Sequence, residues 1–272
     1  MIKTAVFGVG NCASALVQGV SHCRQHGDDA VAVLFPDLGG YRIGDIEFVA
    51  AFDIDRRKVG RPLSEAVFSL PNNTRTFAAA DAFSGVTVQP GQILDGISAP
   101  IRAETPDRSF LPIESGEGTK ASIVAALKAA GAEVAISFLP VGSQQATEFY
   151  AECALEAGVA FINAIPVLIA SNPVWAERFA KAGLPVLGDD FKGQIGATIL
   201  HRALADLFGA RGAALDRSYQ LNVGGNTDFI NMLEEDRLAT KRLSKTESVQ
   251  SAAPPGLMIA ISASAPPISC PG

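Results

Sequence analysis

The chain has 272 residues, 48% of them hydrophobic and 18% charged, with a formal net charge of -6. That is enough apolar material to bury the core of one large α/β domain or two modest ones, and an acidic balance without a basic stripe argues against a nucleic-acid binder. No apolar run approaches the roughly 18 residues of a membrane span, and the opening MIKTAVFGVG is too short for a secretory signal, so a cytoplasmic protein with no membrane partner is expected.

In chain order, KTAVFGVG is an apolar run ending in glycines that leads into NCASALVQGV, where small and apolar residues recur at helical spacing: strand, tight turn, helix. IEFVAAFDID repeats the strand signal, and AEVAISFLPVGS, GVAFINAIPV and GLPVLGDD give three more, the first two separated by the helical QQATEFYAECALEAG. Strands alternating with helices predict a parallel, doubly wound Rossmann-like sheet over residues 1–200. Residues 22–45 read as an insertion, and 71–118, rich in Gly, Pro, Ser and Thr, as an irregular surface excursion. From residue 201 the pattern changes, and SYQLNVGGNTDFINML predicts strand, turn and helix of a second, partial α+β domain over 201–251.

Gly8, Gly10 and Ala13 form G-x-G-x-x-A at the first strand-to-helix turn, where glycines admit a pyrophosphate to the amides of a helix N-terminus. A second strand ends in Asp53, placed to bind a ribose hydroxyl. These features predict a dinucleotide site; a plain tight turn is the other reading. SFLPVGS, with Pro140, ends a strand at the sheet's carboxyl edge and is equally a turn or a ligand loop. Asp189, Asp190 and Lys192 sit where a strand stops and a long helix begins, as a site or a solvated cap. Asn222, Asn226 and Asp228 share one glycine-rich turn suited to a polyol or phosphate. Lys241 and Lys245 stand four apart, sharing a helix face; such a pair is most often a solvated surface, but two ammonium groups in one pocket would favour a neutral lysine. The 4 cysteines and 3 histidines are read as carrying no short metal-ligand spacing, so the metal is left unassigned.

Together, GVGNCASAL, AFDIDRRKVG, SFLPVGS, INAIPVLIASNP, GDDFKGQIGATILHR, YQLNVGGNTDF and KRLSKT resemble the inositol-3-phosphate synthases (myo-inositol-1-phosphate synthases), particularly their shorter bacterial and archaeal branch, from residue 1 to about residue 251. The resemblance implies conversion of D-glucose 6-phosphate to 1D-myo-inositol 3-phosphate with NAD reduced and reoxidised in one turnover: oxidation at C5, enolisation by loss of a C6 proton, aldol closure between C1 and C6, and reduction of the ketone. It implies a homotetramer. It further implies a cofactor set of Gly8, Gly10, Asn11, Cys12, Ala13, Asp53, Pro140 and Asp190, with Asp189 or Asp190 beside the nicotinamide or a divalent or monovalent cation. Lys241 becomes the proton acceptor at C5, Lys245 the stabiliser of the enolate oxygen, and Asp228 a further catalytic group. Lys192, Gly193, Gln194, Asn222 and Asn226 become substrate contacts. Gly193 stands where the family usually has Ser, Asn172 where Asp is common, and Thr227 where Met is common.

The segment GLMIAISASAPPISCPG carries no charge. Codons for it can be chosen so that the neighbouring frame reads D-R-D-I-R-I-G-P-S-D-F-V-P-W, close to a motif the family carries after this point. The expectation is a frameshift just before Met258, an aberrant tail over 252–272 without sustained period, an exposed strand edge, and an activity that is weak or absent. A natural apolar tail packing on the domain is the other reading. A catalytically inactive NAD-binding or interaction protein of the same ancestry is the rival function, and a sugar-acid dehydrogenase releasing NADH a second.

Overall fold

The computed structural model describes residues 1–27, 33–191, 193, 195–223, 227–234, 237 and 258–264. Strands β1 (Ile2–Phe7), β2 (Ile46–Asp53), β3 (Val88–Pro90), β4 (Val134–Ser137), β5 (Ala160–Asn163) and β6 (Val186–Leu187) form one parallel sheet in the order β3-β2-β1-β4-β5-β6. This is the doubly wound order, in which the chain first builds outward from β1 on one side and then from β4 on the other. The point where the direction reverses lies between β1 and β4, so their carboxyl ends diverge and leave a crevice.

The core follows from side chains alternating across each strand. Ala5 and Phe7 of β1 face helices α4 (Lys120–Ala130), α5 (Gln144–Ala157) and α6 (Pro173–Lys181), packing with Leu127, Ala151, Phe161 and Phe179. Val6 faces the other way, with Val17 and Val20 of α1 (Asn11–His26) and Leu63 and Ala66 of α2 (Leu63–Ala66). Burial of each large side chain contributes about 1.5–3 kcal/mol. Thr119 and Ser122 form a capping box that starts α4, and Gly131 ends it in the left-handed conformation. Asn172 accepts from the Val174 amide at 3.0 Å and so N-caps α6, a task at which Asp and Asn are interchangeable.

The structure corrects two expectations. Helix α1 continues to His26, so the insertion begins after it rather than at residue 22. The stretch 71–118 is not wholly irregular or superficial: it supplies the edge strand β3 and helix α3 (Ala99–Arg102), and Val88, Ile97 and Ile101 are buried. Within the segment read as an aberrant tail, Met258–Ser264 forms β8, which pairs in parallel with all seven residues of β7 (Arg217–Val223) and so covers one edge of that strand.

Beyond the sheet, α7 (Ala197–Ala210) packs on β7, and α8 (Thr227–Asn231) returns to the parallel-sheet domain, against α3. Ile230 packs with Ile97 and Ile101, the Asn231 side-chain amide donates to the Val141 carbonyl, and Glu234 accepts from the Ala99 amide at 2.7 Å. A segment expected in the second domain thus walls the crevice of the first. No helix among the described residues is long and apolar enough to cross a membrane.

Candidate functional site

At the end of β1, Gly8 adopts φ +89°, and a Cβ there would lie 2.8 Å from the Phe138 carbonyl oxygen. The turn is therefore open only to glycine. Gly10 caps α1 in an extended conformation, and no atom of the described residues lies within 4 Å of where its Cβ would be. Ala13 is fully buried, small enough to let α1 lie close on the sheet.

Two helices, α1 and α5, begin at the crevice. The Asp95 carboxylate accepts from the Gln145 and Ala146 amides at 2.8 and 3.0 Å, neutralising the start of α5. The first turn of α1 contains no acid. Of the two N-termini, that of α1 is accordingly the one whose amides suit a phosphate.

Asp53 ends β2 where the sequence placed it, and its carboxylate reaches back to accept from the Val9 amide at 2.7 Å while also accepting from Ile54 and Asp55 at 2.7 and 2.8 Å. It thereby ties the glycine turn to β2. A carboxylate has about four acceptor positions, so capacity for a hydroxyl remains. The Asn11 Oδ1 accepts from the Asn73 and Thr74 amides at 2.8 and 3.1 Å and fastens that loop, which leaves the backbone amide as the group Asn11 has for the crevice. Cys12 is exposed beside it, and Pro140 lines the crevice from the end of β4.

The structure adds Lys58 and Tyr150, which sequence reasoning passed over. Lys58 is 1% exposed; its Nζ donates to the Val9 carbonyl at 2.8 Å and to Asn72 Oδ1 at 2.9 Å, pinning the glycine turn from beneath. Tyr150 stacks on Phe7 at 4.3 Å and accepts from the Gln92 amide at 3.2 Å. Burial pushes its phenol well above the ordinary value. Burial likewise lowers the Lys58 ammonium below its ordinary 10.5, with Asp53 and Asp55 opposing. A lysine held lower in the folded chain binds fewer protons there than when unfolded, so its contribution to stability rises with pH from the folded value up to the unfolded one. The melting temperature of the wild-type protein is expected to rise relative to that of Lys58→Met across this alkaline window; parallel curves of melting temperature against pH would contradict it.

Three adjoining cavities share walls: one at the glycine turn, lined by Phe52, Asp53, Leu94 and Tyr150, shares Phe138 and Pro140 with a second bounded by Ile165, Asp190 and Asp228, which shares those two acids with a third lined by Gly193, Thr198 and Asn222. The adjacent acids divide the labour. Asp189 accepts from the Ile169, Ala170 and Ser171 amides at 3.0–3.1 Å and from Asn163 Nδ2 at 2.8 Å, so it clamps the loop after β5. Asp190, held at φ +67°, lines the second cavity. A non-glycine residue in that region is strained, and such strain persists where surrounding structure enforces it. Lys192, Gln194, Asn226, Lys241 and Lys245 lie outside the described residues. Among the described residues no group of three or more potential metal ligands converges. The reading that no histidines share a short spacing is corrected: His22 and His26 are four apart on α1 with rings stacked at 4.1 Å.

Residues 196–261 match the family model for myo-inositol-1-phosphate synthase. The chain is 50% identical over 252 residues to the inositol-3-phosphate synthase of Mycolicibacterium smegmatis, covering 92% of this chain and 67% of that protein. The chain belongs to the inositol-3-phosphate synthase family. The synthase of Corynebacterium glutamicum is 47% identical over 257 residues, covering 94% of this chain and 68% of its own length. The crystal structure of Ari2 superposes with a TM-score of 0.75 at 36% identity, covering 97% of this chain and 71% of that one. The chain thus spans about two thirds of the length of the synthases it matches.

Proposed function

We propose that this chain carries the NAD site and substrate trough of an inositol-3-phosphate synthase, acting on D-glucose 6-phosphate. The observation that supports the reading is adjacency: the cavity at the glycine turn shares Phe138 and Pro140 with a second, which shares Asp190 and Asp228 with a third that Asn222 lines. NAD, when bound, supplies reversible hydride acceptance. Gly8, Gly10 and the first amides of α1 suit its pyrophosphate, Asp53 a ribose hydroxyl, and Pro140 and Asp190 flank the far end. Lys241 takes the proton of the C5 hydroxyl, Lys245 stabilises charge on the enolate oxygen, and Asp228 stands at the join of the two compartments. Lys192, Gln194, Asn222 and Asn226 hold the phosphate and hydroxyls. Among the described residues a Cβ at Gly193 would meet nothing closer than 3.8 Å, so the serine common in the family has room there, and its absence is a lost hydroxyl.

The test is to incubate the full chain with NAD and D-glucose 6-phosphate and follow both product and cofactor. Formation of an inositol phosphate with no net NADH supports the reading. Stoichiometric NADH identifies an ordinary dehydrogenase instead, and NAD binding without product identifies an NAD-binding protein of the same ancestry.

A further inference from the structure

The turn after β4 is held by residues from much later in the chain. Gly142 follows Pro140 and Val141 there at φ +80°, and a Cβ on it would fall on the stem of the Arg237 side chain and 3.0 Å from the Arg237 Cα. A side chain at position 142 and Arg237 in its seat exclude each other. The Arg237 side chain is 10% exposed, and its three nitrogens donate to three separate stretches of chain. Nη1 meets the Val141 carbonyl at 3.2 Å, Nη2 the Asp95 carbonyl, and Nε the Glu234 carboxylate at 2.7 Å. Glu234 turns its other oxygen to the Ala99 amide, at the start of α3, at 2.7 Å, and the Val141 carbonyl also accepts from Asn231 Nδ2.

The stretches joined in this way serve different cavities. Pro140 lines the cavity at the glycine turn, Val141 lines the second together with Asp228, and Asp95 caps α5 through its carboxylate. Asp228 stands nine positions before Arg237, with the fully buried Asn231 between them. A guanidinium is a rigid planar fork, so the turn after β4 cannot shift against residues 231–237 without breaking charge-assisted bonds. We propose that Arg237 is a positioning residue that couples the two ligands: seated against Gly142, it makes the turn flanking the cofactor and the segment carrying Asp228 one unit. A ligand that orders this unit lowers the ordering cost left for the other, which is positive coupling. The ligands named rest on the reading under Proposed function; the seat at Gly142 does not.

The first test needs no ligand. Gly142→Ala unseats Arg237, so in an Arg237→Ala background it has only its own backbone strain left to add. The double variant is expected to be more stable than the sum of the two single losses allows, by roughly 2- to 100-fold in the folding constant, and additive losses overturn the seat. The second is hydrogen exchange of the full chain at residues 227–232, with and without saturating NAD. NAD is expected to slow exchange there in wild type and not in Arg237→Ala; Arg237→Lys, which keeps stem and charge but not the fork, serves if the alanine variant does not fold, and should lose most of the slowing. A merely structural arginine would change exchange equally with and without NAD, and that outcome overturns the coupling. The third is the gain in D-glucose 6-phosphate affinity that NAD confers, on the order of 5- to 150-fold in wild type and near onefold in the variant; an undiminished gain in the variant also overturns the proposal. A wild-type chain that binds NAD but not D-glucose 6-phosphate loses the substrate reading, and exchange still decides the coupling. One that binds no NAD loses the dinucleotide reading and the coupling together, and the double variant then decides the seat alone.

Discussion

Replacing Gly8 with valine is expected to remove NAD binding and destabilise the fold together, whereas Gly10→Ala is expected to spare the fold and lose the cofactor. Gly8 sits at φ +89°, and the obstacle to a Cβ is backbone, the Phe138 carbonyl 2.8 Å away, which cannot swing aside. The backbone conformation costs a non-glycine residue about 1–3 kcal/mol, and overpacking adds about as much again. Gly10 has an ordinary negative φ of -91° and, among the described residues, nothing within 4 Å of the added methyl, so its cost to the fold stays near or below about 1 kcal/mol. The same open space is where a pyrophosphate must approach the α1 amides. Thermal melting paired with NAD titration separates the two variants. Unchanged NAD affinity in Gly10→Ala would place the cofactor elsewhere.

Asp189→Ala is expected to have the largest effect among the acids, and its neighbour a different one. The Asp189 carboxylate holds three consecutive backbone amides, those of Ile169, Ala170 and Ser171, together with Asn163 Nδ2. Hydrogen bonds to a charged acceptor contribute about 1.5–3 kcal/mol each, but this site is partly open to water, which replaces some of them, so a net loss of about 2–4 kcal/mol is expected. Hydrogen exchange should accelerate at the amides of residues 169–171. Asp190→Asn should leave those amides protected, since Asp190 joins this loop through its own backbone amide, which donates to the Ile165 carbonyl at 3.1 Å. Equal exchange in Asp189→Ala and wild type would contradict the clamp.

Much of this was legible in the residues. The glycine turn, Asp53 and strands β1, β2, β4, β5 and β6 announced themselves because each is a short apolar run closed by turn residues. Strand β3 did not, since three residues among prolines and glycines give no period to read. Lys58 lies in DIDRRKVG, which resembles a solvated charge run; it is buried only because the turn after β2 folds beneath the glycine loop, a long-range event. Asp189 and Asp190 are indistinguishable by type and are separated by backbone geometry. In β7 the usual signal is inverted, with apolar residues outward and a hydrogen-bonded polar line inward, so alternation there marks the wrong face as core. The line from His201 to Gln220 spans 19 positions and has no motif of its own. Strand β8 was missed because its Ala and Ser residues carry no alternation, and its pairing with β7 is made by backbone.

The central claim is that the glycine-turn cleft and the Asn222 end form one site, so their ligands must be coupled. The most direct test is calorimetric titration of D-glucose 6-phosphate into the full chain with and without saturating NAD. The account predicts tighter binding when NAD is present, and loss of that enhancement in Gly10→Ala. Binding that is equal in both conditions, or NAD binding with no D-glucose 6-phosphate binding at all, would contradict a single continuous site.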